Sequence, residues 1–101
     1  MKHFFKVIIN EHAAQDIQKG VDFYNEKQDS LGTRFYTSSK ATPKSLNKDA
    51  LLYQIKYSSI RCVKVNNFPY LIHYSVNQKS NTVRVYSVIP TRKDPHTNWV
   101  R

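Results

Sequence analysis

The sequence predicts an α+β fold: an antiparallel sheet of about four strands with an N-terminal helical hairpin packed on one face, in the order β-α-α-β-β-β. Three observations carry this. The 101 residues make a single domain covering 1–101. From residue 11 to 46, apolar positions recur at helical spacing. From residue 60 onward, β-branched and aromatic runs alternate, and Asn-rich clusters separate them.

Residues 3–9 read as the first strand, with Phe5, Val7 and Ile9 on one face. Asn10 is placed to cap a helix, and Glu11 sits where the helix dipole favours an acid. Ala13, Ala14, Ile17, Val21 and Tyr24 then form the apolar stripe of a helix over 11–28. Gly20 inside that helix costs about 1 kcal/mol relative to Ala, which points to a close packing contact. Ser30 is placed to cap a second helix, followed by Leu31, Phe35, Ser39, Thr42 and Leu46. Pro43 lacks a backbone donor and clashes with the turn before it. The helix is therefore expected to end or kink near residue 41 and restart at Thr42-Pro43.

The rest is strand-like: 60–65, 69–76 and 82–89, with 51–57 a weaker candidate. Strand alternation sorts the faces. Tyr70, Ile72, Tyr74 and Val76 face the core, with Val63, Val65, Val83, Val85 and Ile89. The opposite, open face then carries Cys62, Lys64, Leu71, His73, Arg84, Tyr86 and Val88. Arg92, Lys93, His96 and Trp99 follow the last strand. Cations on such a face position phosphates, and aromatic rings stack on bases. The plainer reading is the wet side of a sheet, with His73 and His96 solvated.

The net charge is +9, from 16 Lys and Arg against seven Asp and Glu. Residues 1–31 hold four lysines and five acids, whereas 32–101 hold twelve cations and two acids. That excess implies an anionic partner. No apolar run approaches the roughly 18 residues of a membrane span. The start is too quickly charged for a signal peptide, and a single cysteine, Cys62, suits a reducing cytoplasm. No membrane, metal or cofactor is expected: one Cys and four scattered His do not make a zinc site. The basic region holds Asp49 and Asp94 as its acids, too few for a metal-dependent phosphodiesterase.

The run Asn67-Phe68-Pro69-Tyr70-Leu71-Ile72-His73-Tyr74, with Thr91-Arg92-Lys93-Asp94-Pro95 and Trp99 after the next strand, resembles the RelE/ParE toxin superfamily. Ala13, Ala14, Asp16, Ile17 and Tyr24 resemble its first helix, and Leu31-Gly32-Thr33-Arg34-Phe35 its entry to the second. The resemblance spans nearly the whole chain. It implies a small basic toxin, neutralised by a cognate acidic antitoxin that is usually co-encoded. RelE-like members cleave mRNA in the ribosome without a metal. ParE-like members, the plasmid-stabilisation branch, block DNA gyrase instead.

Departures from the family pattern favour the ParE-like branch. Nuclease members place an Arg after the strand tyrosine, where this chain has Leu71. They place two lysines two apart on the preceding strand, where it has Cys62 and Lys64. Many carry a His before the Thr-Arg tail, where it has Pro90. If the chain is nevertheless a nuclease, the resemblance makes Lys64, Arg84, Tyr86 and Arg92 its catalytic set. The cations would stabilise the phosphorane, while Tyr86, His73 or His96 moved protons. Cys62 reads as a small filler rather than a nucleophile. A non-toxic binding relative is the third reading, motivated by Pro43 and the thinned catalytic set.

Overall fold

The computed structural model describes residues 4–91. Strand β1 (Lys6–Ile9) leads into helices α1 (Glu11–Lys27) and α2 (Leu31–Asp49), and a short 3-10 turn spans Ala50–Leu52. Strands β2 (Ile55–Tyr57), β3 (Ile60–Lys64), β4 (Tyr70–Asn77) and β5 (Thr82–Pro90) follow. They form one sheet in the order β1-β5-β4-β3-β2. This is the expected α+β layer with two refinements. The weak 51–57 candidate supplies a fifth strand, β2, and β1 pairs parallel to β5 while all other pairings are antiparallel. Hydrophobic period alone does not say which strand β1 joins.

Both helices cover one sheet face. Ala13, Ile17, Phe35, Leu46 and Ala50 bury themselves against Val63, Val65, Ile72, Tyr74, Val83, Val85 and Val88. At one end, the rings of Tyr24, Phe35, Phe68 and Tyr70 pack together; Phe35 lies 4.7 Å from Tyr70 and 5.1 Å from Phe68, centroid to centroid. Phe68 and Tyr70 of the Phe-Pro-Tyr run therefore work as core, while Pro69 between them is exposed. Gly20 makes the close contact its place in a helix suggested: a Cβ there would overlap the Phe35 ring. On the far side of the core, the Tyr74 hydroxyl donates to the Ala50 carbonyl at 2.7 Å. Burial pushes its pKa well up.

Helix α2 does not end near residue 41, one of the two outcomes expected there, but continues through Pro43 to Asp49. The Pro43 ring is fully buried, so core packing holds the helix together across the missing donor. Hydroxyls brace the turns on either side: Thr42 Oγ1 donates to the Ser38 carbonyl at 2.9 Å, and Ser45 Oγ to the Thr42 carbonyl at 2.7 Å. One polar atom is stranded. Ser39 is fully buried, and its Oγ has no partner among the described residues. Ser39→Ala removes an unsatisfied hydroxyl and improves helix propensity, so it is expected to stabilise by about 1 kcal/mol in urea unfolding.

The expected side-chain caps are not made. Ser30 sits in the left-handed region at φ 67 and, like Asn10, forms no capping hydrogen bond. Asn25 Oδ1 instead accepts from Gly32 N at 3.0 Å, which satisfies an orphan donor of α2 from the neighbouring helix. A Cβ on Gly32 would collide with Asn25 and the Val21 carbonyl, so the hairpin closes at a glycine contact. The Asn-rich clusters that separate the strands form turns: Asn67 and Asn81 take positive φ, and Asn77 Oδ1 accepts from the amides of Lys79 and Ser80.

A bulge corrects the face assignment of the last strand. His73 pairs with Ser87 and Tyr74 with Val85, leaving Tyr86 as an extra residue in β5. The alternation therefore changes phase there. Val88, placed on the open face from sequence, is 3% exposed in the core, whereas Ile89 lies level with Leu71 on the other face. Asp16 of α1 anchors the segment just beyond the bulge, its Oδ2 accepting from Val88 N at 3.0 Å.

Candidate functional site

The register defines the sheet face turned away from the helices. Cys62 lies level with His73, Lys64 with Leu71, and Arg84 with Ser75. Lys64, Arg84 and Tyr86 are exposed there, as the sequence predicted. Arg92, His96 and Trp99 lie outside the described residues.

His73 departs from the expected solvated state: it is 2% exposed. The Tyr57 hydroxyl lies 2.9 Å from its Nδ1, and the Cys62 sulfur 3.5 Å from the same atom. Tyr57 belongs to β2, the strand with the weakest sequence signal, so the residue that shelters His73 was missed. Burial lowers the His73 pKa, and the Asp16 carboxylate acts in the opposite direction. Cys62 is buried too, and burial raises its thiol pKa, which fits a filler.

The His73 shift has a sign that can be tested. Its folded pKa is below the ordinary 6.5, so below that pH the unfolded chain takes up a proton that the fold resists. Stability is expected to fall as pH drops from about 7 towards 5, by at most about 1.4 kcal/mol per unit from this group. Urea unfolding across that range should show the slope, and His73→Gln should flatten it.

The two cations are held apart. Lys64 and Arg84 sit on strands flanking β4, level with positions four residues apart along it. At strand spacings that separates their Cα atoms by roughly 13 Å along the strand and 10 Å across. Arg84 turns further away: its guanidinium donates to Asn10 Oδ1, after β1, at 3.2 Å. Lys64 Nζ donates to the Val65 carbonyl at 3.5 Å. The Tyr86 hydroxyl lies 3.0 Å from Ser75 Oγ.

A concavity lies between α1 and the adjoining ends of β4 and β5. It encloses about 530 Å³ and is walled by Phe23, Tyr24, Pro69, Tyr70, Ile89 and Pro90, with Asp16 and Lys19 at its rim. Phe23 is 47% exposed, with the Lys27 amine 5.0 Å from its ring centre. No group of three or more potential metal ligands occurs among the described residues. None of their helices is long and apolar enough to cross a membrane.

This architecture is that of the RelE/ParE toxins. A chain of the chromosomal ParDE toxin–antitoxin system of P. aeruginosa superposes with a TM-score of 0.78 at 13% identity, covering 90% of this chain and 100% of that one. The RelBE2 toxin–antitoxin complex of Mycobacterium tuberculosis gives 0.66 at 14% identity, covering 86% and 98%. The isolated E. coli RelE toxin gives 0.62 at 16% identity, covering 90% and 87%. No family model matches the chain, and no curated protein does.

Proposed function

We propose that this chain is the toxin of a type II toxin–antitoxin pair and arrests growth by binding its target, in the ParE-like manner. DNA gyrase is the first target to test. The observation that carries this reading is the separation of the open-face cations. Metal-free RNA cleavage needs cations converging on one phosphorane. Here Lys64 and Arg84 diverge, each bonded away from the other, and Leu71, level with Lys64 on the strand between them, is apolar. An acidic antitoxin segment, disordered when free, would seat its apolar residues in the aromatic groove and direct its acids to the cations of the sheet face rather than to the acidic α1.

The purified protein is expected to inhibit gyrase supercoiling at micromolar concentration, and its expression to stop growth unless the antitoxin is co-expressed. A ribosome-dependent endoribonuclease using Lys64, Arg84, Tyr86 and Arg92 is the alternative; three of these are exposed on one face. It predicts cleaved mRNA in induced cells and loss of cleavage in Lys64→Ala plus Arg92→Ala. Unaffected growth with antitoxin binding retained would mark a non-toxic binding relative. Active gyrase at micromolar protein together with intact growth would sink the proposal.

A further inference from the structure

The outer face of α2 carries a ladder of cations. Lys40, Lys44 and Lys48 recur four residues apart and are exposed, with Arg34 on the same outward arc. Each step of four residues advances about 6 Å along the helix. The Lys40 amine lies 5.5 Å from the centre of the exposed Tyr36 ring, which extends the ridge by one turn. None of the three lysines pairs with an acid among the described residues, whose one ion pair joins His12 to Asp16.

Such a ladder works against the helix. Like charges four residues apart destabilise it by about 0.2–0.5 kcal/mol per pair. The helix dipole accounts for Lys48 in the last turn, but not for Lys40 or Lys44. The neighbouring helix is opposite in character: α1 carries Glu11, Asp16, Asp22 and Glu26 against Lys19 and Lys27. The helical layer is thus electrically divided, with one side turned to attract a polyanion and the other to repel it.

We infer that the α2 ridge docks on the phosphate backbone of duplex DNA, independently of sequence. The ridge is a convex helix face with one aromatic at its end. It offers neither the groove nor the series of stacking rings with which single strands are held. Its exposed hydroxyls bond back to the helix backbone: Thr37 donates to the Thr33 carbonyl and Ser45 to that of Thr42, so neither donor is left for a ribose 2′-hydroxyl. Lysines alone read charge, which duplex DNA presents as one negative charge per about 1.7 Å of axis. This contact is separate from the open sheet face and does not depend on the target proposed above.

The test is fluorescence anisotropy of a labelled 20-base-pair duplex across a KCl series, with the full-length chain. Duplex RNA, single-stranded DNA and poly-glutamate are run as competitors. Three lost phosphate contacts should make the log Kd against log salt slope shallower by about 2.7 in K40Q/K44Q/K48Q. Glutamine keeps helix propensity, and circular dichroism confirms that the variant is folded. Lys64→Gln with Arg84→Gln should leave the slope as in the parent chain. An unchanged slope in the ridge variant overturns the inference, as does a loss confined to the sheet-face variant. So does stronger competition by RNA, single strands or poly-glutamate than by unlabelled duplex DNA.

Discussion

Phe35→Ala is expected to lower the unfolding free energy by about 3–5 kcal/mol. The ring is fully buried and touches three others, with centroids 5.2 Å from Tyr24, 5.1 Å from Phe68 and 4.7 Å from Tyr70. Deleting it opens a cavity where α1, α2 and the start of β4 meet, and aromatic neighbours collapse poorly into such a space. Domains of this size have about 5–15 kcal/mol in total, so the variant would sit near the edge of folding. Each kcal/mol shifts Tm by about 4–8 °C. Urea unfolding followed by circular dichroism measures the loss, and Phe35→Leu should recover more than half of it. A loss below about 1 kcal/mol for Phe35→Ala would show that the four-ring cluster does not hold the helices on the sheet.

The fold was legible where one physical signal dominated. Helical spacing marked α1 to within a residue, and β-branched alternation marked β3, β4 and β5. It was less legible where tertiary packing overrode a local rule. Pro43 is a helix breaker by its own chemistry, yet its buried ring lets α2 continue. Tyr86 gives no sign in sequence that it is a bulge, but the bulge exchanges the roles of Val88 and Ile89. Ser30 looks like a cap, and its left-handed backbone leaves Asn25 to do the capping from the other helix.

The candidate site was read less completely, for a reason that lies in β2. Three residues are too short a run to declare a strand, yet Tyr57 within it turns His73 from a solvated imidazole into a buried one. The positions of Lys64 and Arg84 on a common face were foreseen; their separation was not. Alternation assigns residues to faces but says nothing of register, and register is what places the two cations at different levels of β4. The charge count likewise gave a sign and no geometry. The structure divides that charge between a diffuse sheet face and a regular ladder on α2, and regularity favours the ladder as the surface for an extended polyanion.

Gly20→Ala is expected to destabilise the chain by about 1–2 kcal/mol, although helix propensity alone would make it stabilising by about 1. The difference is set by Phe35. A methyl at Gly20 would overlap that ring, and the ring has no room to retreat, being packed against Tyr24, Phe68 and Tyr70. Relief must come from moving α1, whose Gly20, Phe23 and Tyr24 also wall the aromatic groove. A double-mutant cycle isolates the effect. In a Phe35→Leu background the obstruction is gone, so Gly20→Ala should become neutral or stabilising there, with a coupling of about 1–3 kcal/mol between the two positions. Additive changes would mean that Gly20 is tolerated rather than required. In that case the spacing between α1 and α2 would rest on the Gly32 contact with Asn25 and the Val21 carbonyl, and a Gly32→Ala variant would be the more damaging of the two.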